Sequence, residues 1–236
     1  MTTAALIKRW MSVLGVLAAL ITTGCSYDPP IITATHIIED AAQTLERFRR
    51  HKDLKAYADL LPKARAVIIF PQLIKVGFLA GGQIGTGILV ARTRDGTWSG
   101  PSFHTLVAGS FGAQIGVQDT AVVMVVRSDA ALQAILAHQG KLGADIGATV
   151  GFAGVGLQAA TTTNLGADVL AFANANMGAY LGGALDGAIL AVRNDLNEGL
   201  YGKGATPETI LAVQPGEPAT NRYWATTKRL RDVLGP

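Results

Sequence analysis

The side chains that could do covalent or metal chemistry are few and dispersed. His36, His51, His104 and His138 stand apart from one another and from the single cysteine, Cys25, so no pair has metal-ligand spacing. Asp145 and Asp168 each follow Gly-Ala and, with Asp186, could echo a paired-carboxylate site; the same placement suits turn and helix capping. Gly154-Val155-Gly156-Leu157-Gln158-Ala159 imitates a dinucleotide fingerprint. No βαβ pattern surrounds it, and the place ~20 residues on, where an acid should hold a ribose, offers Asn174 and Asn176. Gly109-Ser110-Phe111-Gly112 lacks the spacing of a nucleophile elbow. These residues motivate no enzyme, no cofactor and no metal.

Cys25 is the one reactive group with a context. Lys8 and Arg9 precede an apolar run, Met11 to Ile21, and Thr22-Thr23-Gly24-Cys25 follows: the three parts of a secretory signal. The run is too short to span a bilayer, which takes ~20 residues. Its end resembles a bacterial lipobox, with Gly24 before the cysteine and Thr22 where an aliphatic residue is usual. The expectation is a signal over 1–24, a lipidated Cys25 with its thiol consumed as a thioether, and a lipid-anchored protein. Ser26 in the next position resembles the outer-membrane class. The other reading is an ordinary secreted protein cut elsewhere. Without Lys8 and Arg9 the chain has 18 basic and 17 acidic residues, so its basicity belongs mainly to the signal and does not argue for nucleic acid as partner.

The clearest charged feature of the remaining chain is Arg47, Arg49, Arg50, Lys52 and Lys55. With Lys63 and Arg65 it could face anionic headgroups, each charge near such a surface contributing ~1 kcal/mol. Glu46 and Asp53 are interleaved, so a solvated helix face explains the run equally well. Lys75 interrupts an apolar stretch and is the other candidate headgroup contact, against a plain role as a strand-end charge.

The elements that must position these groups follow from periodicity. No glycine occurs in residues 25–76, whereas 23 of the 28 lie in 77–202; charges run the other way, 14 in the first stretch and 13 in the much longer second. This predicts a charged helical N-terminal part and a glycine-rich sheet. Residues 25–37 read as a tether held extended by Pro29 and Pro30, and 38–213 as the domain. Ile38, Ala41, Ala42, Leu45 and Phe48 recur at helical spacing; Leu54, Tyr57, Ala58 and Leu61 form a second stripe stopped by Pro62. Ala66–Phe70 reads as a buried strand bounded by Pro71. Asp95-Gly96 marks a hairpin between 84–92 and 98–106, and a second hairpin, turned at Gln118-Asp119, is expected between 111–117 and 120–127. Ser128 or Asp129 caps a helix, the alternation over 169–181 argues strand, and Pro207 opens a short helix before a tail, 214–236. The predicted class is α+β: a glycine-rich antiparallel, barrel-like sheet with N-terminal and short peripheral helices. The four-residue glycine spacings at 77/81/85, 112/116, 143/147/151 and 183/187 fall in spans broken by Gln83, Gln114, Asp145 and Asp186, and so read as sheet rather than membrane helix.

From about Leu45 to Leu211 the chain resembles the SYLF domain family. The resemblance is carried by Lys63-Ala64-Arg65-Ala66, Lys75-Val76-Gly77-Phe78, Gly85-Thr86-Gly87, Arg92 with Asp95-Gly96-Thr97-Trp98-Ser99-Gly100-Pro101, and Phe111 to Gly116. Tyr180 to Gly187 and Arg193-Asn194-Asp195-Leu196-Asn197 with Tyr201-Gly202 complete it. The family occurs in bacterial secreted proteins and eukaryotic actin-patch proteins. The resemblance implies phospholipid binding and no enzymatic reaction. Gly151-Phe152-Ala153-Gly154-Val155 departs from the family's Gly-Pro-x-Gly-Arg by lacking the basic residue, and the basic N-terminus tied to actin binding in yeast members is absent. The expectation is therefore a non-enzymatic phospholipid-binding module of the cell envelope, with envelope proteins as further partners and actin excluded. The competing expectation is a structural or interaction lipoprotein with no specific lipid.

Overall fold

The structure, a computed structural model, describes residues 28–51, 55–137, 150–154, 168–173, 188–212 and 224–235. Helix α1 runs Pro30–Arg50, α2 Lys55–Leu60 with a 3₁₀ turn at Leu61–Lys63, and then two very long strands follow, β1 Ala66–Ala91 and β2 Ser102–Val126. After them come α3 Asp129–Ala137, β3 Val150–Gly154, β4 Val169–Ala173, β5 Ile189–Val192, α4 Asn194–Tyr201, α5 Pro207–Ala212 and α6 Trp224–Leu234.

The α+β class and the N-terminal helix match expectation. Helix α1 buries Ile38, Ala41, Ala42, Leu45 and Phe48, the stripe read from spacing. It begins at Pro30, so most of the stretch 25–37 read as an extended tether is helix. A proline at the first helical position costs nothing, because that N–H has no intrahelical partner.

β1 and β2 pair antiparallel from Ala66↔Val126 to Leu89↔Ser102. A straight strand of that length would run ~85 Å, several times the ~18 Å radius of gyration expected of such a chain. The ribbon instead folds back on itself. Arg92 N–H donates to Arg65 O at 2.8 Å, which brings the two ends of β1 side by side. At the fold, a Cβ on Gly85 would sit 2.2 Å from Gln72 O and one on Gly87 2.1 Å from Ile69 O, so only glycine permits the approach. Register shifts between Phe70 and Leu73 and between Gly77 and Leu79 supply the bend.

Two expectations fail here for one reason. Pro71 does not end the strand, because it sits in the first register shift, where a missing N–H breaks no ladder bond. Gln118-Asp119 is not a turn: β2 runs through it, with Gln118 opposite Lys75 and Asp119 opposite Ile74. The expected hairpin at Asp95-Gly96 is present, with Thr93 N–H donating to Thr97 O at 2.8 Å and Gly96 at φ 84°.

Among the described residues the sheet path is β1-β2-β4-β3, with β5 on β2. The sheet is curled but open, so barrel closure is not observed. β3 and β4 pair parallel, an addition to the antiparallel plan. Each face of the sheet carries a buried core over part of its area. One face, with Val67, Ile69, Ile88, Phe103 and Val123, packs under α1, α2, α4 and α6. The other, with Ile68, Phe70, Leu89, Leu106 and Met124, packs against α3 and α5. Within the stretch read only as a tail, α6 lays Leu230, Val233 and Leu234 onto the first core.

Candidate functional site

The basic run closes α1, where cations complement the negative end of the helix dipole. Its described arginines are engaged within the protein. Arg47 Nη2 donates to Thr44 Oγ1 at 2.9 Å, and Arg49 Nη1 to Val233 O at 2.6 Å, holding the end of α6. Arg50, 81% exposed, lies 3.7 Å from Glu46. Glu46 also accepts from Arg229 Nε and Nη2 at 3.1 Å, and Arg229 pairs with Glu39, so the run belongs to an α1–α6 seam laced by ion pairs. Lys55 opens α2, while Lys52 and Cys25 lie outside the described residues. Lys75 lies in the folded ribbon, 7% exposed, and is not displayed as a headgroup contact. The structure therefore puts Lys75 and the described arginines on different elements.

Of the three carboxylates in the sequence echo, only Asp168 is among the described residues. Asp168 accepts from Ser128 Oγ at 3.0 Å, and Ser128 Oγ accepts from Ala131 N–H, so the pair caps α3 as expected of capping residues. Asp145 and Asp186 lie outside the described residues. Ser102 Oγ and His104 Nε2 are 3.1 Å apart, but both residues are sealed in the interior. Burial pushes the His104 pKa down to about 4, partly opposed by Glu208. No cluster of metal-ligating side chains occurs among the described residues.

Several residues that carry the family resemblance act as a clamp. Ser99 Oγ accepts from Ala91 N–H at 3.0 Å, Asn197 Oδ1 accepts from Phe103 N–H at 2.8 Å, and Tyr201 O–H donates to Pro101 O at 3.0 Å. A Cβ on Gly100 would meet Tyr201 Oη at 2.6 Å. Trp98 Nε1 donates to Gly235 O at 3.0 Å, with the Arg92 guanidinium 4.3 Å from its ring centroid. These contacts tie the hairpin to α4 and to the chain's end.

The open surface lies elsewhere and was not singled out residue by residue from the sequence. Ile84 pairs with Val107, and Val107 with Ile189, in one row across β1, β2 and β5. Their side chains are 53%, 44% and 41% exposed. The neighbouring pair Gly82–Gly109 is exposed and bare, and Thr86 and Thr105 beyond the row satisfy each other at 3.0 Å. The row sits on the face that carries Ile88 and Phe103 four residues further along each strand, with Thr86 and Thr105 between them, since side chains at i and i+2 share a face. Arg193 borders it, donating to Thr86 Oγ1 at 3.2 Å and to Asp195 at 2.7 and 2.8 Å. The strand period of two places Ile84, Ile88, Phe103 and Val107 on one face, but nothing in the sequence says where its helical cover stops.

An open sheet under helices, with an apolar row on display, defines an α+β module. Residues 107–234 match the family described as Ysc84, Las17-binding protein actin regulator, and the chain belongs to that family, the SYLF domain group. The chain is 34% identical over 163 residues to an SH3 domain-containing protein of Schizosaccharomyces pombe, covering 68% of this chain and 37% of that one. It is 29% identical over 156 residues to LAS seventeen-binding protein 3 of Saccharomyces cerevisiae, covering 65% and 34%. To the human SH3 domain-containing YSC84-like protein 1 it is 30% identical over 186 residues, covering 76% and 54%. The chain thus spans between a third and about half of these relatives. No solved structure matches it.

The exclusion of actin-related partners is corrected by these findings. The family is described as an actin regulator, and relatives are named for binding LAS seventeen. The exclusion rested on the extreme N-terminus and the export signal, whereas the matched residues, 107–234, run from β2 to α6.

Proposed function

We propose that this protein is a non-enzymatic module that binds phospholipid through the Ile84–Val107–Ile189 row. The observation behind this reading is that three branched apolar side chains in register are open to solvent, beside bare glycines that let a surface approach the backbone. With little net charge outside the signal, the contact would be mainly apolar and only weakly salt-dependent. Lipidation at Cys25 would hold the module on the outer membrane, since acylation with two or more chains anchors stably. The mass of the N-terminal peptide of membrane-extracted protein tests that anchor; an unmodified thiol there removes it.

Vesicle co-sedimentation of the 26–236 form tests the lipid reading. Binding is expected, and Ile84→Asp with Val107→Asp should abolish it while the chain stays folded. Indifference of the parent form to both zwitterionic and anionic vesicles would falsify the reading.

The second reading is a protein-docking surface on the same row. It is favoured by the relatives' names and by β5, which pairs only with β2 among the described residues and so offers an edge to a partner strand. It predicts no lipid preference and a complex that survives mild detergent and is lost with the same two substitutions.

A further inference from the structure

A cavity of about 540 Å³ lies between the β1–β2 turn, α3 and α5, away from the apolar row. That is within the range of small-molecule sites, ~300–1,000 Å³. A liquid water occupies ~30 Å³, so the space exceeds what a bare inorganic ion would fill. One wall is cationic: Arg65, Arg92 and Arg94. The helices supply an apolar patch, Leu132 and Leu136 from α3 and Leu211 from α5, with Gln133 and Glu208 of the same helices beside it.

Two of the guanidiniums are fixed in place. Arg65 Nε bonds Asp129, and its Nη1 donates to Arg92 O. Arg92 stacks on Trp98 and donates to Gly96 O at 2.6 Å. Arg94 is exposed on the turn and has no hydrogen bond or ion pair among those described. Glu208 is the one carboxylate in the lining, so the wall retains excess positive charge even with Asp129 behind Arg65. Arg65 and Arg92 keep these protein contacts while lining the cavity, and Arg94 lines it from the turn.

We infer that this cavity binds a phosphate group carried on an apolar body, the phosphate lying against Arg65, Arg92 and Arg94 and the apolar part against the leucines of α3 and α5. Guanidinium forks match phosphate oxygens, and positions already fixed by protein contacts lower the ordering cost of binding. The phosphate can come from a lipid headgroup or from a soluble ion. Glu208 opposes the anion and sets the affinity below what the arginines alone would give.

The test uses the full chain in neutral detergent micelles, with inorganic phosphate and lysophosphatidic acid as separate probes, read by calorimetry. Saturable binding of lysophosphatidic acid is expected, with inorganic phosphate weaker. Arg94→Ala should weaken binding about tenfold, the loss of one charge-assisted contact. Glu208→Gln should tighten it, a gain that a purely structural role for these residues would not produce. Equal binding of both probes would assign the site to soluble phosphate and overturn the apolar half of the proposal. No saturable binding of either probe, or binding indifferent to both substitutions, overturns it entirely. Ile84→Asp with Val107→Asp should leave this binding unchanged, so the cavity and the membrane row fail or succeed independently.

Discussion

Two stretches of one sheet face behave in opposite ways. Ile88 and Phe103, paired on β1 and β2, are fully buried beneath the helical layer. Ile84 and Val107, four residues along each strand on the same face, are about half exposed. All four side chains are apolar and the pairing register between them is continuous. Only the cover changes: α1, α4 and α6 pack over the first pair and not over the second. An apolar side chain under a helix contributes to stability, whereas the same side chain beyond the helix is available to a partner.

The largest expected effect separates the two stretches. Phe103→Ala should cost ~3–5 kcal/mol, from lost burial and the cavity left behind. Val107→Ala should change stability by less than ~0.5 kcal/mol. Urea denaturation of both measures the contrast, and similar losses would erase it.

Next comes a dependence on pH inside the covered sheet. His104 is neutral when folded, with a pKa of about 4, and would titrate near 6.5 unfolded. Between those values the unfolded chain binds the proton and the folded one does not. Stability is therefore full above pH ~6.5, falls by up to about 3 kcal/mol as pH drops to 4, and levels off below. His104→Gln should flatten that part of the melting-temperature profile, and a profile unaltered by the substitution counts against it.

The smallest effect concerns two glycines on β1 and β2. Gly87→Ala should destabilise by ~1–3 kcal/mol, because its methyl meets Ile69 O. Gly109→Ala, with nothing within 4 Å, should be neutral or slightly stabilising. Equal effects would show that the ribbon does not fold back at Gly87.

Much of the local structure was legible. The buried stripe of α1, the Asp95-Gly96 turn, the Ser128 cap and the start of α5 at Pro207 depend on neighbours a few residues away. α6 was also legible and was passed over: Trp224, Thr227, Leu230 and Leu234 recur at helical spacing. The continuation of β1 through Pro71 and of β2 through 118–119 was not legible, because both depend on a partner strand some fifty residues distant. The candidate site divides the same way. Lys75 and the 47–55 run stand out as charges in sequence, yet folding buries the first and gives the described arginines of the second intramolecular partners.

The sequence by itself determined which residues alternate, which turn, and which glycines could bring backbones together, since those properties lie in the side chain and its nearest neighbours. The tertiary structure alone decided that one ribbon doubles over, that a helical layer stops short of Ile84, Val107 and Ile189, and that three arginines from 65 to 94 share one cavity. Each of these depends on where distant segments meet, which follows from packing the whole chain.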